Sequence, residues 1–90
     1  MSEPLWELVV TGPAARDIEG LPEKYATAIM ATLLGIAANP KRIGKPLRFE
    51  LEGRWSARRG PYRVIYSIDE GARTVTVLAV AHRADVYRPR

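Results

Sequence analysis

Cysteine is absent from this 90-residue chain. That excludes disulfides, thiolate metal sites and a cysteine nucleophile, and it suits a reducing cytoplasm. Long apolar runs are missing too: the longest, "AIMATLLGIAA", falls well short of the about 20 residues a spanning helix needs. The start, "MSEPLWELVV", lacks the basic opening of a signal peptide. There is one histidine, and Glu50 and Glu52 are the only acidic pair near ligand spacing. They are expected to flank a turn or pair with arginines rather than to hold a metal. A Gly-rich phosphate loop and a Ser-His-Asp order are also lacking. The expectation is a soluble cytoplasmic protein with neither metal nor cofactor.

What is present is basic charge, unevenly spread. The net charge is +4. Residues 1–40 carry two basic side chains, Arg16 and Lys24, against five acids; residues 41–90 carry twelve against five. Such a separation in one small domain gives the molecule a positive side suited to a polyanion. Eleven of the fourteen basic residues are arginine, whose planar fork grips phosphate bidentately and stacks on aromatic rings. Ninety residues suffice for a single domain, 1–90, of one sheet under one helical layer.

Along the chain, "LWELVVT" (Leu5–Thr11) reads as a strand, and Gly12-Pro13 opens a short helix that stops at Gly20. Pro22 opens a longer helix to about Ala38, with Ala26, Ile29, Met30, Leu33 and Ala37 at three- and four-residue spacing as its buried face. Gly35 inside it marks a close approach to a strand. Asn39-Pro40 ends this helix. The basic connection "PKRIGKPLRFELEG" is longer than a compact domain needs, and such loops tend to be functional. Strands follow at about 54–59, 62–68 and 74–81, with turns at Gly60-Pro61 and Asp69-Glu70-Gly71. The order β-α-α-β-β-β predicts an α+β domain, a small antiparallel sheet with a helical hairpin on one face.

Alternation along Tyr62–Ile68 places Tyr62, Val64, Tyr66 and Ile68 under the helices and Arg63 on the other face. Trp55 and Tyr66 read as packing residues. An arginine cluster, one histidine and a late tyrosine then suit one reaction, cleavage of an RNA phosphodiester by its own 2′-hydroxyl. RNA brings the nucleophile; the protein has to align the attack, offset charge on the phosphorane-like state and move two protons. Arginines fill the middle role, and His82, Arg83 and Tyr87 could serve the last. A free phenol with a pKa of about 10 is a poor base at pH 7, so neighbouring guanidinium charge has to lower it. On the residues alone, a nuclease and a basic protein-interaction module both stand.

The run "GKPLRFELEGRWSARRGPYRVIYSID" with the ending "HRADVYR" resembles the RelE/ParE superfamily of bacterial toxins, in particular the RelE branch. The likeness covers almost the whole chain, and the element order agrees. It implies a toxin of a type II toxin–antitoxin system that cleaves messenger RNA in the ribosomal A site. It further implies that Arg63, the arginine of the Tyr-Arg-x-x-Tyr motif, stabilises the scissile phosphate. Tyr87 would be the general base, and His82 or Arg83 the proton donor. Arg58 and its neighbour Arg59, with Lys45 and Arg48 of the Pro-Leu-Arg loop, would bind RNA. The chain departs from the pattern at Ser56, where a basic residue is usual, and in a shorter spacing from His82-Arg83 to the tyrosine. Lys45 also stands where a related subgroup has a glutamate base.

The alternative is a ParE-like inhibitor of DNA gyrase, a binding module that cuts nothing and shares the hairpin; the "HRADVY" ending favours the nuclease. Either way a cognate antitoxin protein is expected, masking the basic surface with an acidic segment that folds on binding.

Overall fold

Thr11 shows how local chemistry starts the helical layer. Its side chain accepts a hydrogen bond from the Ala14 N–H (3.3 Å) while its hydroxyl donates to the carbonyl of Val77 (2.9 Å). One residue thus caps a helix and fastens it to a distant strand. In the computed structural model, which describes residues 5–48 and 52–82, this joins β1 (Glu7–Val10) to α1 (Gly12–Glu19). α2 (Glu23–Ala38) follows from Pro22, and the chain continues through α3 (Pro40–Ile43) and β2 (Lys45–Pro46). β3 (Trp55–Arg59), β4 (Tyr62–Asp69) and β5 (Thr74–His82) complete it.

The α+β class and the helices on one face of the sheet are as the sequence predicts. The five strands lie in the order β1-β5-β4-β3-β2, antiparallel except for β1, which runs parallel to β5. Two elements escaped the sequence reading. The basic connection is not plain loop: it contributes the short helix α3 and the two-residue edge strand β2.

The core lies between the sheet and α1–α2, where Ala14, Ile29, Leu33 and Ile36 meet Ala57, Val64, Tyr66, Val75, Val77 and Val80. Met30, expected in this face, is instead 52% exposed. Helix α2 is apolar on nearly every side, so periodicity alone does not choose its buried stripe; packing against the sheet chooses Ile29, Leu33, Ile36 and Ala37. The side of Gly35 faces Ile43 of α3 at 3.7 Å rather than a strand.

Strand β5 changes phase once. Ile65 pairs with Ala79 but Tyr66 pairs with Val77, leaving Leu78 as an extra residue. A single inserted residue flips every side chain beyond it to the other face. Val75 and Val77 before the bulge and Val80 after it therefore all point toward the helices. α1 holds the irregularity from above: Asp17 accepts the Val80 N–H at 3.0 Å, and the Thr11 hydroxyl reaches the Val77 carbonyl.

At the centre of the hairpin Tyr66 is wholly buried, stacked near Trp55 (6.5 Å between ring centroids, planes at 24°). Its hydroxyl donates a 2.6 Å hydrogen bond to the Pro40 carbonyl. Gly44 passes directly over that hydroxyl: a Cβ there would collide with it and stand 2.9 Å from the Ser56 carbonyl oxygen. This contact ties α3 and the start of β2 to the sheet.

Burial pushes the Tyr66 phenol up from its ordinary 10 to about 12, with the Gly44 backbone N–H acting in the opposite direction. A folded-state pKa above the unfolded one means that stability is complete below pH 10. It falls as pH rises from 10 through 12, by about 3 kcal/mol for two pKa units. Tyr66→Phe removes that alkaline dependence but starts about 1–3 kcal/mol lower, because the Pro40 carbonyl loses its donor. Denaturant melts of both proteins between pH 8 and 11.5 check this; equal pH slopes would contradict it.

Candidate functional site

Strand pairing dictates which side chains share a face. Lys45 of β2 lies directly opposite Ser56 of β3, which lies opposite Ile65 of β4. One step along, Arg58 lies opposite Arg63, and Arg63 opposite Ala81 of β5. Two adjacent rows on the face away from the helices thus hold Lys45, Ser56, Arg58 and Arg63. Directly opposed residues have Cβ atoms about 5 Å apart, and residues two apart on a strand stand about 7 Å apart. Lys45 and Arg63, two strands and one row apart, stand about 12 Å from each other at Cβ, so they can meet at one phosphate only by the reach of their long side chains.

The four side chains line a cavity of about 500 Å³ completed by Ile43, Pro46 and Leu47. Its apolar wall comes from α3 and β2, the elements fastened by Tyr66. Arg58 is exposed, Arg63 half-buried with its Nε beneath the surface, and Ser56 only 7% exposed. Two guanidinium groups opposite each other in a sheet repel. A buried Nε on one of them restricts how far it can turn away. An anion drawn between the two guanidinium groups would relieve that repulsion, as in an oxyanion or phosphate site. The apolar wall lowers the local dielectric and strengthens that attraction.

The remaining predicted residues are distributed as follows. Arg48 is exposed just beyond β2. Arg59 pairs with Tyr62 at the hairpin end and so points to the helix side. His82 pairs with Tyr62 and packs edge-on against its ring, at 5.7 Å and 83°, while Tyr62 meets Tyr25 of α2 at 5.2 Å. The imidazole therefore stands on the helix side of the sheet, across from the cavity. The bulge at Leu78 is the reason, since without it His82 would share a face with Arg63. Arg83 and Tyr87 lie outside the described residues. Ile43, Pro46, Leu47 and Ser56 were not singled out as site residues from the sequence. Ser56 carried a signal, the hydroxyl where the related toxins have a basic side chain. The three wall residues carried none, because they depend on β2 forming. Among the described residues, no three His, Asp or Glu side chains come together in a way that could hold a metal ion.

Comparison with known proteins gives concordant results. Residues 8–87 match the family described as the ParE toxin of type II toxin–antitoxin systems, parDE. Toxin RelE of Mycobacterium tuberculosis is 48% identical over 84 residues, 92% of this chain and 87% of that protein. Toxin RelG of the same organism is 48% identical over 79 residues, 87% and 91% of the two chains. The crystal structure of the M. tuberculosis toxin–antitoxin complex RelBE2 aligns with a TM-score of 0.82 at 44% identity, covering 90% of this chain and 94% of that one. The intact E. coli RelBE complex shares the fold at 18% identity, with a TM-score of 0.73 over 86% and 95% of the chains.

If Arg58 serves a ligand rather than the fold, Arg58→Ala removes a like-charge opposition. The melting temperature should rise by about 2–5 °C at low ionic strength, and the gain should shrink in 1 M salt. A fall of that size at low salt would show that the guanidinium supports the structure instead.

Proposed function

We propose that this chain, which belongs to the ParE toxin family of type II toxin–antitoxin systems, is an endoribonuclease that cuts messenger RNA at the ribosomal A site. The observation that carries the reading is the cavity on the far face of the sheet, where Lys45, Arg58 and Arg63 converge with a buried hydroxyl. The RelE names of relatives at 48% identity support the nuclease over other activities of the family.

In this reading Arg63 and Arg58 take the non-bridging oxygens of the scissile phosphate. They offset the charge that builds as the group becomes five-coordinate, while Lys45 and Arg48 engage flanking phosphates; Arg59, on the helix side, takes no part. Tyr87 removes the proton of the 2′-hydroxyl, a step a phenol performs at pH 7 only where positive charge lowers its pKa. The 2′-oxygen attacks phosphorus, the bond to the 5′-oxygen breaks, and Arg83 returns a proton to that oxygen, since the His82 imidazole stands on the opposite face of the sheet. The products are a 2′,3′-cyclic phosphate and a 5′-hydroxyl, with RNA supplying the nucleophile and no metal entering the balance. A protein this small grips few nucleotides, so the ribosome contributes the in-line alignment, which can be worth several kcal/mol.

The partner is a cognate antitoxin, as the RelBE2 complex illustrates for its own toxin, and the site of action is the cytoplasm. No helix among the described residues is long and apolar enough to cross a membrane. The second reading, inhibition of DNA gyrase, draws on the ParE description of the matched family. It needs the basic face but no general base.

Arg63→Ala should slow cleavage on programmed ribosomes by at least about 100-fold, the scale of removing one transition-state donor. Undiminished cleavage by that variant would remove the mechanism. In cells, expression of the wild-type protein should fragment transcripts with plasmid supercoiling unchanged; relaxed or broken DNA with intact transcripts would select the gyrase reading.

A further inference from the structure

Among the described residues, Ser56 is a buried polar residue outside the core, on the face away from the helices, and its Oγ has no hydrogen-bond partner there. A buried hydroxyl left unsatisfied costs about 1–3 kcal/mol, and native proteins tolerate few of them without a reason. Its position supplies one. Ser56 lines the same cavity as Lys45, Arg58 and Arg63, directly opposite Lys45 on the neighbouring strand and two residues before Arg58.

We propose that the Ser56 hydroxyl is a direct hydrogen-bond donor to a non-bridging oxygen of the scissile phosphate, set in the floor of the cavity beneath the three cations. This rests on the nuclease reading and adds a substrate-touching residue to it. The register explains why a short hydroxyl occupies the place. A long cation at position 56 would face Lys45 across the strand pair, setting like charges directly opposite each other. With the charge delivered from β2 by Lys45, β3 contributes a small neutral donor. The burial that makes the hydroxyl unfavourable in the free protein makes its bond to an anionic oxygen stronger once water has left.

The test uses the full-length protein on mRNA-programmed ribosomes, with single-turnover cleavage measured across a toxin concentration series. Ser56→Ala folds readily, since it only shortens a side chain. Its melting temperature should equal or exceed that of wild type, because an unsatisfied buried group has gone. Its cleavage rate at saturating toxin should fall about 10- to 100-fold, as expected for a hydrogen bond to a charged group, with the half-saturating concentration within about 3-fold. An unchanged rate overturns the proposal, as does a loss of activity that merely tracks a lowered melting temperature. Arg63→Ala, run alongside, separates the two levels. If Arg63→Ala is inactive and Ser56→Ala fully active, the nuclease reading stands and the role of Ser56 falls. If wild-type protein leaves the mRNA intact, the nuclease reading falls and takes the role of Ser56 with it.

Discussion

A buried hydrogen bond, from the Tyr66 hydroxyl to the Pro40 carbonyl, latches α3 and the start of β2 onto the central hairpin. The aromatic ring belongs to β4, the strand that carries Arg63; the carbonyl belongs to α3, which feeds β2 and Lys45 through Gly44. Because a Cβ at Gly44 would strike the same hydroxyl, the backbone can cross there only as glycine. The cation from the edge strand is thereby fixed relative to the two from the hairpin. A phosphate site of this kind needs its donors placed before the ligand arrives, since reorganising them during reaction would consume the attraction they supply. The latch turns three charges from different strands into one pre-formed cavity.

The sheet divides its labour by face. Toward the helices it presents Val64, Tyr66, Val75, Val77 and Val80, an ordinary apolar core. On the other side it presents Lys45, Ser56, Arg58 and Arg63, which line the cavity. On the helical side α1 is clamped to β5 by Thr11 and Asp17. The clamp sits at the bulge, so the point where β5 changes phase is also a braced part of the strand.

How much of this was legible in the sequence follows from which signals are local. The face of Arg63 could be read from period-two alternation because β4 is regular along its length on the β3 side. The boundaries of α1 and α2 were legible from Gly12-Pro13, Gly20, Pro22 and Asn39-Pro40, which act within a turn of themselves. Met30 was misplaced because α2 offers apolar side chains on nearly all sides and only the sheet selects among them. β2 was invisible: two residues, one of them proline, form a strand only where β3 presents an edge and Tyr66 anchors the approach. The side taken by His82 was not legible either, because the extra residue at Leu78 inverts the parity of everything after it. Ser56 could be noticed as a departure from a family pattern, but its burial and its Lys45 neighbour depend on the pairing of β2 with β3.

In the proposed reaction, cations gathered on one face of the sheet bring about attack by the RNA's own 2′-hydroxyl. The most direct measurement is the chemistry of the cut ends, taken from mRNA cleaved on the ribosome by the purified toxin, with a matched mRNA carrying a single 2′-deoxy nucleotide at the cut site. The upstream fragment should end in a 2′,3′-cyclic phosphate, the downstream fragment should begin with a 5′-hydroxyl, and the 2′-deoxy message should stay intact. A 3′-hydroxyl facing a 5′-phosphate, or continued cutting at the 2′-deoxy position, would mean that water or a protein side chain is the nucleophile and would contradict the proposed reaction.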